Sequence, residues 1–314
     1  MVYCGVMSML RASLILCVAL ATALSTAAAD AGVLVLVDPE RGDDSRCATT
    51  LICQTIAYAV QFVGASRVNL SASVFNESTV SISNVQSLVI TGVASATFFD
   101  CSRRLGVSGR TAAPAFNVTN STVTLTGVTF QHCTNPNGNG GAVSAVDSSV
   151  AVSQCRFVNC SAANGGAISA TGGGSGVFLR VHSSNFTRNS AVGDLIGCPT
   201  GTLSRDPCST WGGAVAAFEM SNVSITGCSM DDNSVAAVVP SNSLQNDLSR
   251  NAVAGGGCVS VLFRGNSSVC TLHFADNSFL RCAVDLSSSS NIVVGNGKCL
   301  PAQTLRSFVW LSQI

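Results

Sequence analysis

Three aspartates and one arginine are the residues of this chain whose types and spacing could do chemistry. Asp231 and Asp232 are adjacent, and Arg188 and Asp276 fall at matching positions of a sequence repeat described below. Carboxylates stacked in this way could hold Ca²⁺, which takes about 6–8 oxygen ligands, and glycosidic hydrolysis needs two placed carboxylates. The alternative interpretation is that these acids are solvated turn residues. Arg188 and Asp232 would then form a surface ion pair worth under about 1 kcal/mol.

The other titratable residues predict no catalytic or cofactor site. His182 and His273 alternate with apolar residues, which is typical of exposed strand positions, and the three glutamates have no carboxylate neighbour in the sequence. No Gly-x-Ser-x-Gly motif, zinc-ligand spacing or phosphate-binding loop occurs. We therefore expect no cofactor, and the weak Ca²⁺ candidate above is the one metal site that the sequence offers.

Composition excludes two classes of protein. The chain has 314 residues with 16 basic and 16 acidic side chains, so its formal net charge is zero, and Lys298 is its one lysine. This balance lacks the basic surface of a nucleic-acid-binding protein. Hydrophobic residues make up 47% of the chain, which is too much for a disordered protein. Glycine and small or β-branched residues predict short strands and many turns.

The beginning of the chain predicts export. Arg11 precedes an apolar run at residues 14–24, and three alanines at 27–29 fit cleavage before Asp30. This pattern is typical of a secretory signal peptide at residues 1–29. The alternative is an uncleaved anchor, although the run is shorter than the roughly 20 residues that span a bilayer. We expect no membrane span after signal removal.

Cysteines and glycosylation motifs agree with an oxidising, extracellular compartment. Thirteen of the 15 cysteines lie after residue 29, an odd number that leaves at least one without an intramolecular partner. Eight Asn-x-Ser/Thr motifs would have to face water if they are used. They are at Asn69, Asn76, Asn117, Asn120, Asn159, Asn185, Asn222 and Asn266.

A repeat organises most of the chain. Glycine pairs followed by a small and a branched residue occur at residues 140–143, 165–168, 212–215 and 256–259. An aromatic residue or Met with Cys or Asn three residues later follows each pair and also occurs before the first pair. These motifs are Phe130/Cys133, Phe157/Cys160, Phe186/Asn189, Met230/Asn233 and Phe274/Asn277, with Phe98/Cys101 as an earlier copy. Apolar residues two apart before each large residue indicate strands with one buried face.

The repeat predicts an all-β fold, a single-stranded right-handed parallel β-helix (a solenoid) with a short N-terminal capping helix. A repeat of this size cannot bury its apolar side alone, but stacked parallel copies can. We predict an N-terminal strand and capping helix at 30–66, the β-helix at 67–290 with inserted loops at 191–211 and 235–254, and a C-terminal segment at 291–314. The competing fold is a two-sheet sandwich of antiparallel hairpins.

Residues at one position of the repeat should lie above each other at about 4.8 Å, the spacing of neighbouring strands. Bridged cysteines have Cα atoms about 4.4–6.8 Å apart, so we predict a Cys133–Cys160 disulfide, with Cys101 paired elsewhere or free. Cys198 would pair with Cys208, and Cys47 with Cys53. Cys155 and Cys228 share a buried column two coils apart, too far to bridge. Asn189, Asn233 and Asn277 would form an amide ladder; unrelated turn residues are the alternative.

The glycine pairs and large residues of the repeat resemble those of the polymorphic outer membrane protein (Pmp-type) family, whose surface β-helices are linked to adhesion. Val37, Asp38, Pro39 and the segment 55–60 are similar to the N-terminal end of pectin-lyase-like β-helix proteins, where a short helix closes the solenoid. Lyases of that fold combine several carboxylates with an Arg base, whereas its hydrolases combine an Asp trio with Gly-His-Gly and Arg-x-Lys motifs. This sequence has neither of those two motifs.

These features predict a secreted or cell-surface β-helix without catalysis, an adhesion, matrix or recognition scaffold. Its partner would be an extracellular polysaccharide or a surface protein. The alternative is a divergent polysaccharide lyase or glycoside hydrolase whose catalytic residues are Arg188, Asp231, Asp232 and Asp276. A fragment of a larger receptor or wall protein is a third hypothesis.

Overall fold

The computed structural model describes residues 32–103, 113–173, 176–194, 209–238, 253–255, 257–262, 271–280, 283–286 and 308–309. The predicted signal peptide at 1–29 lies outside the described residues, as do Cys198, Cys208 and Asn266. The described residues form two short helices, α1 (Cys47–Thr50) and α2 (Ile56–Gln61), and many short strands. A 3-10 turn follows at Cys101–Arg103.

The strands of the first half of the chain are β1 (Leu34–Val37), β2 (Ile52–Cys53), β3 (Arg67–Leu70), β4 (Val74–Phe75), β5 (Val80–Ser83), β6 (Leu88–Thr91), β7 (Phe98–Asp100), β8 (Phe116–Thr119), β9 (Thr122–Thr126), β10 (Thr129–Gln131), β11 (Thr134–Asn139), β12 (Val143–Val146), β13 (Ser149–Ser153), β14 (Arg156–Val158) and β15 (Ser161–Asn164). The strands of the second half are β16 (Ile168–Thr171), β17 (Phe178–His182), β18 (Asn185–Thr187), β19 (Ser190–Asp194), β20 (Ser209–Trp211), β21 (Val215–Phe218), β22 (Asn222–Thr226), β23 (Ser229–Asp231), β24 (Ser234–Val238), β25 (Val253–Gly255), β26 (Val259–Leu262), β27 (Thr271–Ala275), β28 (Ser278–Leu280), β29 (Ala283–Leu286) and β30 (Phe308–Val309).

These strands form a solenoid of stacked coils, because equivalent strands of successive coils pair side by side in the same sheet. Sheet I has the order β2-β1-β3-β6-β9-β13-β17-β22-β27, and sheet II has the order β28-β23-β18-β14-β10-β7-β4. Sheet III has the order β11-β15-β19-β24-β29, sheet IV has the order β30-β26-β21-β16-β12-β8-β5, and β20 pairs with β25. From β9 onward the chain visits sheets I, II, III and IV in turn within a coil; the described strands from β3 to β8 belong to sheets I, II and IV.

Parallel pairing confirms the β-helix and excludes the sandwich. Equivalent residues of successive coils are aligned, as in the pairs Val123 with Val150 and Val150 with Leu179. Among the described strands, the one antiparallel pair is that of β30 with β26, at the last coil of sheet IV. Sequential strands of a sandwich would instead pair as antiparallel hairpins.

An aromatic column in sheet II runs through the core. Phe130, Phe157 and Phe186 are paired in successive strands, and Met230 follows them. The rings of Phe157 and Phe186 stack with centroids 4.8 Å apart and planes 8° apart. The predicted column is thus confirmed for these coils. Its earlier copy was predicted one residue away, since Phe99, not Phe98, pairs with Phe130 and is buried.

Glycine pairs occupy the corner that precedes sheet IV, called the glycine corner below. The first glycine of each pair has a left-handed backbone, with φ between 60° and 67° at Gly140, Gly165 and Gly212. A Cβ on the second glycine would meet the next coil, 2.2 Å from the Gly213 carbonyl oxygen in the case of Gly166. Successive coils therefore approach backbone to backbone, which explains the pairs in the sequence.

The predicted capping helix closes the N-terminal end of the solenoid. Helix α2 begins after Thr55, whose side chain accepts a hydrogen bond from the Tyr58 amide, and it buries Ile56, Ala59 and Val60. Two carboxylates hold its first turn. Asp44 Oδ1 accepts from the Gln54 and Thr55 amides at 2.8 and 3.0 Å, and Glu77 Oε1 accepts from the Ile56 amide at 2.7 Å. Exposed apolar strand ends are thereby covered.

The two inserted loops are shorter than predicted. Residues 191–194 belong to β19 and residues 209–211 to β20, so the first insertion begins and ends in strands. The second does the same through β24 and β25, which pair with those strands. The sequence pattern of β19 is weak because the small residue Ala191 fills its buried position, whereas β20 and β24 bury Trp211 and Val235.

The last coil has a different register from the one predicted. Strand β28 pairs Phe279 with Met230, whereas Phe274 lies in β27 and pairs with Ile225 of sheet I. Phe274 and Phe279 are each followed three residues later by Asn or Cys, so the sequence motif fits both. The alignment on Phe274 was wrong, and every residue assigned through it moves to another corner of the coil.

Candidate functional site

The four residues of the predicted acidic site do not come together. Arg188 and Asp232 occupy the corner between sheets II and III in successive coils, where the Arg188 amide donates to the Asp231 carbonyl at 2.9 Å. Asp276 lies at the corner between sheets I and II, and its neighbour Ala275 accepts from the Gly227 amide. The prediction that Asp276 stacks on Asp232 was therefore wrong, because Phe274 set the wrong register. An ion pair of Arg188 with Asp232 stays a prediction.

Metal-binding groups are not clustered in the described part of the chain. There, no three His, Cys, Asp or Glu side chains are grouped so that they could hold an ion. The Ca²⁺ candidate of Asp231, Asp232 and Asp276 loses its geometric basis once Asp276 is placed at the other corner.

Amide side chains satisfy backbone groups at the corner between sheets II and III. Asn189 is fully buried, accepts from the Cys160 amide at 3.0 Å and donates to the Phe157 carbonyl at 3.1 Å. Asn233 repeats this pattern one coil later, accepting from the Asn189 amide at 3.0 Å and donating to the Phe186 carbonyl. The two side chains also bond each other at 2.9 Å. Asn189 and Asn233 thus form the predicted ladder.

Asn277 is not the third member of that ladder. It lies at the corner between sheets I and II, where its amide accepts from the Cys228 backbone N–H at 2.9 Å and donates to the Ile225 carbonyl at 2.7 Å. An asparagine side chain that bonds the backbone of the preceding coil therefore occurs at two corners. Asn277 was assigned to the wrong corner for the same reason as Asp276, because the alignment on Phe274 was wrong.

The disulfide prediction was right for one pair and wrong for another. Cys47 and Cys53 are bridged with Cα atoms 4.7 Å apart, which pins the N-terminal cap. Cys133 is bridged to Cys101, with Cα atoms 4.8 Å apart, and Cys160 is a free buried thiol. Cys133 has a cysteine at a bonding distance in both neighbouring coils, so spacing alone could not decide between them. The Cys198–Cys208 pair lies outside the described residues.

Cys155 and Cys228 are free buried thiols, as their two-coil separation predicted. They share a column at the corner between sheets I and II with Ser184, whose hydroxyl accepts from the Cys155 amide at 3.2 Å. Burial raises the pKa of the Cys155 thiol to about 11 and also raises the pKa of Cys228. Both thiols are therefore protonated and pack as small apolar groups.

Glycosylation motifs lie on the surface wherever the structure describes them. Five of the asparagines are exposed and two are half-buried. The exposed ones are Asn69, Asn76, Asn117, Asn120 and Asn185, and the half-buried ones are Asn159 and Asn222. This distribution is compatible with glycan attachment, which stays a prediction.

The outer face of sheet I is the longest regular polar surface among the described residues. Its strands bury alternate residues, as the burial of Val123 and Leu125 in β9 illustrates, so the residues between them face outward. The outward residues of β3 to β27 include Arg67, Asn69, Val89, Thr91, Thr122, Thr124, Thr126, Ala151, Ser153, Phe178, Arg180, His182, Asn222, Ser224, Thr226, His273 and Ala275. This set, called the sheet I face, contains hydroxyls, amides and bases but no carboxylate.

Side chains of the sheet I face are ordered by contacts along the stack. Thr126 and Ser153 hydroxyls are 3.0 Å apart, and His182 Nδ1 is 2.9 Å from the Thr226 hydroxyl in the next strand. The guanidinium carbon of Arg180 lies 4.4 Å from the Phe178 ring centroid, a cation–π contact. Phe178 thereby holds Arg180 in place while leaving its N–H groups available to a ligand.

Basic groups recur along one line of this face. Arg67, Arg180 and His273 lie in the same outward column, and Arg67 and Arg180 are four strands apart in sheet I. At the usual strand spacing this separation is about 19 Å. Among the described residues, carboxylates border the face at its corners, where Asp147 accepts from the Gly173 amide, Glu219 lies between β21 and β22, and Asp276 follows β27. The face can therefore bind an extended anionic ligand through guanidinium groups and hydroxyls.

Sequence reasoning did not find this face. Buried and outward residues alternate in strands such as Thr122–Thr126 and Phe178–His182. The outward residues can be identified once the strand boundaries are known. The inward residues of these strands indicate the fold, whereas their outward residues form no motif that can be recognised along the sequence. The line of bases appears only after the coils are aligned.

Neither described helix is long and apolar enough to cross a membrane. Comparison of the chain with models of protein families, with curated proteins and with solved structures finds no match. The resemblance to Pmp-type and pectin-lyase-like proteins therefore stays an expectation from the sequence.

Proposed function

We propose that this protein is a secreted or cell-surface recognition scaffold without catalytic activity, and that the sheet I face binds an extended anionic polysaccharide. The observation that carries the proposal is the absence of any carboxylate among the described outward residues of that face, combined with Arg67 and Arg180 along one column. A guanidinium group binds a carboxylate through two parallel hydrogen bonds. Serine and threonine hydroxyls can both donate to and accept from sugar hydroxyls.

The rigid geometry of the solenoid suits a linear polymer. Each coil repeats the previous one at about 4.8 Å, so neighbouring strands present equivalent positions along a straight line. An extended chain with evenly spaced charges can contact several coils at once. The half-buried ring of Phe178 lies beside Arg180 and offers a small apolar surface for the C–H groups of a sugar.

Export is supported by the predicted signal peptide, by the disulfides at Cys47–Cys53 and Cys101–Cys133, and by the surface position of the described glycosylation motifs. Disulfides persist in oxidising compartments outside the cytosol. Expression of the full-length chain in a eukaryotic secretory host tests this step. We expect protein in the medium that begins at Asp30 and loses mass on removal of N-linked glycans; retention in the cell with residues 1–29 intact would contradict it.

Binding is tested with the secreted protein and immobilised polygalacturonate, with neutral galactan as the comparison polymer. We expect binding to polygalacturonate alone, and weaker binding as salt increases, because screening reduces contacts between exposed charges. Arg180→Ala should weaken binding about tenfold, since a charged hydrogen-bonded pair is lost. Arg156→Ala is the matched control, because Arg156 is exposed on sheet II, away from the sheet I face.

Three results would overturn the proposal. Equal binding to the anionic and the neutral polymer would remove the role of charge. Equal loss of binding in Arg156→Ala and Arg180→Ala would remove the role of the sheet I face. Release of shortened oligosaccharides from polygalacturonate by the purified protein would show catalysis and contradict a scaffold function.

A further inference from the structure

Three cysteines form a line in successive coils at the end of sheet II. Cys101 follows β7, Cys133 follows β10 and Cys160 follows β14, and these strands are neighbours in the order β14-β10-β7. Cys133 therefore lies between the other two along the axis of the solenoid. It is bridged to Cys101 on one side, while Cys160 on the other side carries a thiol.

The position of Cys160 relative to Cys133 is also one that a disulfide can span. Gln131 pairs with Val158 before the two cysteines, and Thr134 pairs with Ser161 after them, so Cys133 and Cys160 are equivalent residues of adjacent coils. Adjacent parallel strands are about 4.8 Å apart, within the range of about 4.4–6.8 Å for Cα atoms of bridged cysteines. At this strand spacing, Cys133 lies within the Cα range of a disulfide from a cysteine in either neighbouring coil.

The thiol of Cys160 contacts both its own strand and the coil that holds the disulfide. Its Sγ lies 3.7 Å from the Val158 carbonyl oxygen and 3.9 Å from that of Phe130, in the strand that leads to Cys133. Cys101 and Cys160 belong to the coils on opposite sides of the coil that holds Cys133. Disulfide exchange takes place by attack of a thiolate on one sulfur, while the other sulfur leaves.

We propose that the Cys101–Cys133 disulfide exchanges with the Cys160 thiol inside the folded solenoid, so that the protein has two disulfide isomers. The Cys160 thiolate attacks Cys133 Sγ, the Cys133–Cys160 bond forms and the Cys101–Cys133 bond breaks. The electron pair leaves on Cys101 Sγ, which takes up the proton that Cys160 released. The numbers of disulfides and thiols are unchanged, so no oxidant or reductant takes part.

The exchange changes which thiol can be reached from solvent. Cys160 is buried, whereas Cys101 is half-buried and begins the 3-10 turn Cys101–Arg103 at the surface of the coil. The second isomer therefore presents a thiol at Cys101 that can exchange with a disulfide of another protein. Burial raises the pKa of the Cys160 thiol to about 12, which makes its thiolate scarce and the exchange slow while the corner stays closed.

The test traps the second isomer in the purified native protein. The protein is incubated with iodoacetamide and no reductant, then digested, and its disulfides are mapped by mass spectrometry. We expect slow accumulation of carbamidomethylated Cys101 together with a peptide that joins Cys133 to Cys160. Cys160→Ser should reduce alkylation of Cys101 at least tenfold. Cys155→Ser is the matched control, because it removes a buried thiol from a different column, and it should behave like the wild type.

A second variant tests the alternative bridge directly. Cys101→Ser leaves Cys133 and Cys160 as thiols, and we expect the secreted variant to contain a Cys133–Cys160 disulfide. Alkylation of both thiols in that variant would overturn the proposal. Alkylation of wild-type Cys101 at the same rate as in Cys160→Ser, or alkylation of Cys160 with Cys101–Cys133 intact, would also overturn it.

Discussion

The glycine corner and the corner between sheets II and III both turn the chain in successive coils, but they use side chains in opposite ways. At the glycine corner a Cβ on Gly166 would lie 2.2 Å from the Gly213 carbonyl oxygen, so the coils meet backbone to backbone. At the other corner, side chains fill the space between coils: a disulfide at Cys133, a thiol at Cys160 and amides at Asn189 and Asn233.

This difference determines how many residue types each corner can accept. Contact between backbones leaves no space for any side chain, so the same residue type recurs in each coil. A space filled by a side chain accepts any group of similar size that satisfies the adjacent backbone N–H and C=O groups. Cysteine and asparagine side chains can therefore follow one another along this corner while the backbone of the coil stays the same.

The largest effect is expected for Gly166→Ala. The added Cβ would overlap the backbone of the next coil, and overpacking of a close contact costs about 3 kcal/mol when neither side can move. Chemical unfolding should show this loss of stability. Gly173→Ala is the matched control, because its Cβ would meet only the flexible end of Asp147, at 3.0 Å. Equal losses in the two variants would contradict the backbone contact.

Glu77 also satisfies backbone groups with its side chain, but its side chain can ionise. Its carboxylate accepts from the Ile56 and Ala57 amides at 2.7 and 3.3 Å. Burial raises its pKa from 4.5 to about 7, although these hydrogen bonds oppose the shift. Between pH 4.5 and about 7 the Glu77 carboxyl is therefore protonated to a greater extent in the folded protein than in the unfolded chain. The free energy of unfolding therefore falls as the pH rises through this window, by about 2–3 kcal/mol.

Glu77→Gln should remove most of that pH dependence. The variant keeps one acceptor oxygen but cannot ionise, so its urea midpoints at pH 4.5 and pH 7.5 should differ less than those of the wild type. Glu40→Gln, an exposed carboxylate on the same end of the molecule, should leave the dependence unchanged. An unaltered slope in Glu77→Gln would show that the carboxylate is solvated.

A smaller loss is expected for Asn189→Ala, about 2 kcal/mol in urea unfolding. The variant leaves the buried Cys160 amide and the Phe157 carbonyl without their side-chain partner, and each unsatisfied buried group costs about 1–3 kcal/mol before relaxation. Thr187→Ala, a half-buried change in the same strand region, is the control. A loss below about 0.5 kcal/mol would mean that water replaces the amide.

The smallest change is expected for Cys155→Ser, under about 1 kcal/mol. Ser184 already occupies this column one coil later and donates to the His182 carbonyl at 2.9 Å. A serine at 155 can donate in the same way to the Ser153 carbonyl, which the thiol approaches at 3.3 Å. Thermal unfolding of the two proteins side by side checks this tolerance. A loss as large as that of Gly166→Ala would show that both kinds of corner are equally strict.

The fold could be predicted from the sequence where packing permits few residue types. Glycine pairs, the alternation of Val150 and Val152, and the column of Phe157 and Phe186 all follow from close contacts between coils. The register failed where two residues satisfied the same motif, since Phe98 lies beside Phe99 and Phe274 lies near Phe279. The hydrophobic pattern does not show which of two nearby phenylalanines joins the column, whereas the strand pairing with the neighbouring coil does.

The site was less predictable than the fold. Cys133 has a cysteine in each neighbouring coil, so strand spacing alone allows two disulfide pairings. The line of Arg67 and Arg180 depends on alignment over four strands. Glu77 has no acidic neighbour in sequence, yet the fold places it against the first turn of α2. Such contacts join residues through the stacking of coils and have no local signal.

The central claim is that successive coils stack in parallel at one register, and paired cysteines on the sheet I face test it most directly. Thr124 and Ala151 are aligned in adjacent strands, whereas Thr124 and Arg180 are two strands apart. We predict that Thr124→Cys with Ala151→Cys forms a disulfide on oxidation, and that Thr124→Cys with Arg180→Cys does not, since about 10 Å is too far to bridge. Cross-linking of the second pair but not of the first would contradict the stacked solenoid.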